Sequence, residues 1–282
     1  MPLPLPPVLE PWRAQLEAVV APCVHFTLED GQESAAPGCR YGGHPLVPPG
    51  TAWPRSPSGL MAFVGQLDFA ELAAARGDAL AELPREGVLC LFYDMREQRW
   101  GFDPEHRAYW QLVWAPRRED AVPLAPPKAL EDEGLAYDLP VRMVPRPGLS
   151  LPDASDTRAH LPSLTWADSD EEVDPTELRR QLTGTGSAHQ VGGHPWWIQG
   201  DAREEAQLVT HGLYCGDETG WNAPEARRLL RGAPEWNLLW QVDSDDTTGF
   251  VWGDRGRLYL LIRDTDLREQ RFERAWLGLQ CG

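Results

Sequence analysis

The sequence predicts two related, sheet-containing halves produced by an internal duplication, with short helices flanking the sheets. Three observations predict this. Gly-Gly-His-Pro occurs at 42–45 and again at 192–195. Each copy is followed by an apolar strand ending in Gln-x-Asp, with Gln66 and Asp68 in the first half and Gln241 and Asp243 in the second. A glycine then opens a further apolar strand, Gly87 before residues 88–93 and Gly256 before residues 258–262. A four-residue match arises by chance, so the ordered set carries the inference. The gap from His to Gln is 22 residues in the first half and 47 in the second, which places an insertion in the second copy. Two copies at so long a period do not make a solenoid. The expected organisation is a single globular unit with a first half at 1–114, a connecting region at 115–172 and a second half at 173–282.

Taken in order, residues 9–20 read as an amphipathic helix, with Pro11 in its first turn and Trp12, Leu16, Val19 and Val20 on one face. A strand follows at 22–28. A Gly- and Pro-rich loop at 37–59 carries the first Gly-Gly-His-Pro. The apolar run 60–67 is a strand, and a helix starts at Asp68 and runs to Leu80. Glu71, three residues after Asp68, makes an aspartate version of a capping box. Pro84 and Gly87 turn the chain into a strand at 87–93, and another lies at 109–114. The stretch 115–134 reads as a connection and 139–145 as a strand. Asp168, Asp170, Glu171 and Glu172 form a solvated acidic run. Asp174 caps a helix from Pro175 through Leu182, with Glu177 at its third position and Gly184 as its stop. In the second half, short helices follow Asp201 and Asn222, the latter ending at Gly232. Strands at 236–243 and 257–263, a helical turn at 266–270 and a strand at 274–281 complete the chain.

The 282 residues suffice for a large core. Against 26 basic side chains stand 43 acidic ones, for a net charge of -17. Such a surface repels nucleic-acid phosphates and anionic membranes, and steers a basic protein partner towards it. The opening MPLPLPPVLEPW lacks the basic start of a secretory signal, and no apolar run reaches the ~18 residues of a membrane span. The expected location is therefore the cytoplasm. Five widely spaced cysteines do not make a disulfide framework, and Cys90, inside the run 87–93, reads as a buried small hydrophobe.

Residues two apart share a face of a strand, so Gln66 and Asp68 lie together, as do Gln241 and Asp243. Trp236, Leu238, Trp240 and Val242 form the alternate, core face. The favoured reading has each Gln bonding loop backbone and each Asp capping the next turn. In the functional reading these pairs, with His44 and His194, line a cleft shared by the halves. Trp196 and Trp197 are adjacent, so one faces the core and the other is available as an exposed anchor. Asp243, Asp245, Asp246 and Asp254 could draw a hard cation. The segment lacks the spacing and terminal Glu of a calcium loop, so a polar turn is the expectation and no metal or other cofactor is assigned. No C-x2-C, H-E-x-x-H, G-x-S-x-G, P-loop or G-x-G-x-x-G pattern occurs, and no catalytic residue is assigned.

Gly-Gly-His-Pro with downstream Trp53-Pro54, Gln66-Leu67-Asp68, Leu83-Pro84 and Gly87-Val88-Leu89 resembles the first half of YwqG-like bacterial proteins. The second Gly-Gly-His-Pro, Gln199-Gly200-Asp201, Trp240-Gln241-Val242-Asp243, Trp252-Gly253-Asp254-Arg255-Gly256, Asp266-Leu267 and Gln280-Cys281 resemble the second. The resemblance runs from about 40 to 281 and is weakest at 115–172. It implies an α+β fold with antiparallel sheets and an internal duplication, and carries over no catalytic residue. The expected function is that of a non-catalytic, acidic binding protein with a basic protein partner, toxin immunity being one version. The alternatives are a metal-assisted hydrolase with its site between the halves, or a small-ligand or carbohydrate binder using exposed tryptophan.

Overall fold

The structure, a computed structural model, describes residues 7–30, 37–160, 164, 172–183 and 188–282. Its strands in chain order are β1 (Ala21–Asp30), β2 (Arg40–Tyr41), β3 (Leu46–Val47), β4 (Arg55–Ser56), β5 (Gly59–Leu60), β6 (Ala62–Asp68), β7 (Val88–Tyr93), β8 (Trp110–Ala115), β9 (Val122–Pro123), β10 (Val141–Ser150), β11 (Gln190–Val191), β12 (Trp236–Asp243), β13 (Arg257–Arg263) and β14 (Trp276–Gln280). The short α-helices are α1 (Arg13–Glu17), α2 (Phe69–Arg76), α3 (Lys128–Asp132), α4 (Pro175–Thr183), α5 (Arg203–Val209), α6 (Glu218–Trp221), α7 (Ala226–Leu229) and α8 (Asp264–Arg268).

Ten strands form one antiparallel sheet in the order β14-β13-β12-β11-β1-β10-β2-β6-β7-β8. At its centre β1 and β10 pair along ten residues, from Ala21↔Ser150 to Asp30↔Val141. Strands β2, β6, β7 and β8 extend one flank, and β11, β12, β13 and β14 the other. The outermost strands approach each other: the rings of Trp110 on β8 and Trp276 on β14 are 6.3 Å apart, edge to face. The Leu279 N–H donates to the Trp100 carbonyl at 2.8 Å. The sheet is therefore nearly barrel-shaped.

This corrects the expectation of two sheet halves, since the strands join in one sheet. It also corrects the reading of 115–172 as a connection, because β10 from that region is a central strand. The expected strand ended at 145 because Pro145, Pro147 and Gly148 weaken the pattern. Proline is tolerated where no ladder N–H is required. Strand β2 pairs only with Val141 and Arg142, and the next N–H, of Met143, donates to the Cys39 carbonyl at 3.0 Å. Two helices also differ. The 9–20 segment is a 3₁₀ helix over Pro7–Trp12 followed by α1, because Pro11 lacks the N–H that an α-helix would use. Helix α2 stops at Arg76 rather than Leu80, where Gly77 turns left-handed (φ 60°).

The two aspartate caps are in place, but Glu71 does not close a capping box: it accepts the Cys39 N–H at 2.9 Å and pairs with Arg142, while the Asp68 N–H meets Cys39 Sγ. Asp68 Oδ1 accepts the N–H groups of Ala70 and Glu71 at 3.0 and 3.3 Å. Asp174 Oδ1 accepts from Thr176 at 2.8 Å. Asp168, Asp170, Glu171 and Gly184 lie outside the described residues.

The two flanks repeat a bonding pattern. Gln66 Oε1 accepts the Leu46 N–H at 3.0 Å, and its amide donates to the Gly38 carbonyl at 2.8 Å. Gln241 Oε1 accepts the Trp196 N–H at 2.8 Å, and its amide donates to the Ala188 carbonyl. Leu46 and Trp196 each stand two residues after the motif histidine. Gly38 and Ala188 each stand two residues before β2 and β11. The ladder irregularities also match: β6 slips between Phe63 and Gly65, and β12 between Leu238 and Trp240. Both glutamines are fully buried.

Inside the curl, buried Tyr41 from one flank meets the other. Its ring stacks 6.0 Å from Trp240, and its hydroxyl lies 2.9 Å from His189 Nδ1. The same nitrogen accepts the Asp243 N–H at 3.0 Å. With two donors aimed at it, Nδ1 is the unprotonated nitrogen and the ring proton sits on Nε2.

Gln66→Ala strands a buried N–H and a buried carbonyl, and Gln241→Ala a part-buried pair. Each is expected to cost about 2–4 kcal/mol, read as a lower urea midpoint with an unchanged slope.

Candidate functional site

Consecutive left-handed glycines build each Gly-Gly-His-Pro loop, with φ of 60° and 72° at Gly42 and Gly43 and 68° and 71° at Gly192 and Gly193. Only glycine adopts this conformation at no steric cost. The first loop docks beside Tyr137, whose carbonyl accepts the Gly43 N–H at 2.8 Å. The second docks on the other end of the central ladder, where Ser150 Oγ accepts the His194 N–H at 2.8 Å. A Cβ on Gly193 would lie 2.3 Å from that Oγ. The two loops thus dock at opposite ends of the central ladder, on different partners. His44 and His194 therefore do not face one another, and Gln66 and Gln241 are turned inward onto their own loops.

His44 is half-buried, and its carbonyl accepts from the Arg40 guanidinium. His194 belongs to a buried polar cluster. Its Nε2 meets the Val19 carbonyl at 2.9 Å, and its Nδ1 lies 3.3 Å from Asp156. Asp156 is fully buried and pairs with buried Arg203 at 3.1 Å. Arg203 also pairs with Asp201 at 2.7 Å and donates to the Trp236 carbonyl at 3.1 Å. Burial opposes ionisation of Asp156. The His194 hydrogen bond, the Arg203 charge and the Arg158 N–H outweigh it and hold the carboxyl well below its usual range. His194 and Arg203 line a cavity of about 230 Å³ with Arg158 and Asn237.

Trp197 is buried, with the Arg203 guanidinium 5.5 Å from its ring. Trp196 is half-buried between Arg257 and Arg179, at 5.0 and 5.7 Å. Asp68 and Asp243 each meet an arginine, Arg118 at 3.0 Å and Arg257 at 2.7 Å. Asp243 also accepts the Ala188 N–H at 2.7 Å. Asp245 accepts the Thr247 N–H, Asp246 pairs with Arg255, and Asp254 is exposed. Among the described residues, no three His, Cys, Asp or Glu side chains are grouped to hold a metal ion. The closest thiol–imidazole pair is Cys23 and His25, 3.2 Å apart. Burial pushes the Cys23 thiol up to about 12 and pulls His25 down, so both are neutral and the thiol is no nucleophile.

A second cluster carries surface features that the sequence patterns missed. Trp100, Tyr214 and Trp221 are each more than one-third exposed. The segments holding them are stitched together. Cys215 N–H donates to the Phe102 carbonyl at 2.8 Å, and Trp221 Nε1–H to the Cys215 carbonyl at 3.2 Å. Phe102 and Tyr214 pack edge to face at 5.8 Å. Residues 100–105 and 213–221 contain Asp103, Glu105, Asp217 and Glu218 and no lysine or arginine. Asp103 and Asp217 cap the turns that present these aromatics. Glu205 on α5 lies close enough to Cys215 to act on its thiol, and burial pushes its carboxyl up to about 7.

No helix among the described residues is long and apolar enough to cross a membrane. Residues 39–281 match the family model described as Domain of unknown function (DUF1963). No curated protein matches the chain.

Two titrations follow. Asp156 contributes stability above its unfolded pKa, near 4, and loses it as pH falls further. Asp156→Asn should cost about 3 kcal/mol at neutral pH, with the gap closing below about pH 4 in urea unfolding. Glu205 has the opposite sign: stability is withheld as pH rises from about 4.5 through 7. Glu205→Gln should raise thermal stability by about 1–3 kcal/mol near pH 8, with no gain below about pH 4.5.

Proposed function

The chain belongs to the DUF1963 family, and from that premise we propose that it is a non-catalytic, acidic binding protein of the bacterial cytosol that docks a basic protein partner. The observation that carries this reading is the exposure of Trp100, Tyr214 and Trp221 on two segments joined at Phe102 and Cys215, which hold four carboxylates and no lysine or arginine. Aromatic anchors within a polar rim are the usual anatomy of a protein-binding surface. These carboxylates and the net charge of -17 select a cationic segment and speed its approach. Buried cysteines and polar side chains turned onto backbone favour binding over chemistry. Toxin immunity is one version of this reading.

The matched bonding of Gln66 and Gln241, the matched ladder slips and the mirrored strand order support descent of the two flanks from one duplicated unit. The same motifs support kinship with YwqG-like proteins.

A fluorescent peptide of alternating lysine and leucine, titrated at low and high salt, tests the docking surface. Binding should weaken at least tenfold in Trp221→Ala or Tyr214→Ala and fall with added salt, while Leu139→Ala, remote in sequence and 87% exposed, should bind as wild type does. Equal binding by all four proteins would remove the aromatic cluster as the docking surface.

A further inference from the structure

A larger cavity, about 420 Å³, lies beside the junction of the two sheet ends. Arg107 reaches it from the 3₁₀ segment Pro104–Tyr109, Arg263 from the end of β13, and Glu273 and Arg274 from the turn before β14. Trp236 and Trp276 form its aromatic floor. Three arginines and one glutamate line it, with Arg274 held 3.9 Å from Asp266, in a chain whose acids outnumber its bases 43 to 26.

The two inner arginines are held ready. The Arg107 guanidinium lies 4.1 Å over the Trp110 ring and donates to the backbone carbonyls of Trp110 and Glu273 at 3.0 and 3.2 Å. The Arg263 guanidinium lies 4.6 Å over Trp236 and donates to Gln207 Oε1 at 2.9 Å. Both are half-buried. Among the described residues neither forms an ion pair with a carboxylate, whereas Arg13, Arg96, Arg142 and Arg203 all do. Carbonyl and amide oxygens fix the planes of these guanidiniums without neutralising them. A guanidinium so placed keeps donors for an oxyanion, which it grips through two parallel bonds.

We propose that this cavity binds a small phosphomonoester, with its phosphoryl oxygens on Arg107 and Arg263, Arg274 at the mouth and its organic portion against Trp236 and Trp276. The two inner guanidiniums, held by neutral oxygens, offer more donors than the two oxygens of a carboxylate use and match the three terminal oxygens of a phosphomonoester. The volume falls within the range of small-molecule pockets, roughly 300–1,000 Å³, and exceeds what inorganic phosphate would fill. The cavity adjoins the proposed docking surface through Pro104 and Gly212, but its arginines are not among that surface's exposed aromatics, so separate variants distinguish the failure of one from the failure of the other.

Calorimetric titration of the full chain with phenyl phosphate, near pH 8, tests it. Saturable one-to-one binding is expected, weaker for inorganic phosphate and weaker still for benzoate. Arg263→Gln should reduce affinity about tenfold or more, the loss of one charge-assisted contact. Arg274→Gln, at an exposed position, should keep the fold and reduce affinity less. Circular dichroism checks that each variant is folded. No binding to the wild type at about 10 mM phenyl phosphate, unchanged affinity in a folded Arg263→Gln, or benzoate binding as tightly as phenyl phosphate would each overturn the proposal.

Discussion

The antiparallel ladder between β1 and β10 is the constraint on which the rest of the molecule depends. It is the longest pairing in the sheet, and each flank attaches to one of its strands through a segment of two residues, β11 on β1 and β2 on β10. Because the ladder runs through the middle, the Gly-Gly-His-Pro loops are held at its opposite ends. The separation of the two motifs is thus a property of strand length. It turns what reads in sequence as a pair of matching sites into two distant structural joints.

Each joint solves the same problem. A loop with two successive left-handed glycines cannot continue the ladder, and its neighbouring N–H and carbonyl groups would be buried without partners. The glutamine of the adjoining strand supplies both an acceptor and a donor from one planar amide. At the second joint, His194, Asp156 and Arg203 add a charged layer that has no described counterpart at His44. The two flanks are alike in backbone chemistry and unlike in the side chains that surround it.

Much of the local structure was legible. Residue alternation and turn residues located the longer strands but not the two-residue strands β2 and β11 that join the flanks to the centre, Asp68 and Asp174 identified their helices, and the glutamines were read as bonding loop backbone. Long-range pairing was not legible, because nothing near Ala21 specifies a partner more than a hundred residues later. Proline inside β10 hid its length for a local reason. The aromatic cluster escaped notice because Trp100 and Trp221 are far apart in sequence and sit in short turns without periodicity. The available signal was aromatic residues in segments rich in capping aspartates, which is unusual for chain buried in a core. Arg107 and Arg263 had no sequence signal at all, since only the curl of the sheet brings them together.

That central ladder also sets an order of events for a chain emerging from a ribosome. Strand β1 is made early, yet its two neighbours, β10 and β11, appear roughly 120 and 170 residues later. The flank of β6, β7 and β8 is complete in sequence well before either arrives, and its hairpins can close locally. Until synthesis passes residue 150, β1 is an apolar strand with both edges bare, of the kind that recruits foreign strands. Closing such distant pairs costs chain entropy before any contact repays it, which slows folding. The architecture that nearly closes the finished sheet therefore leaves the unfinished chain with unpaired strand edges until late in synthesis.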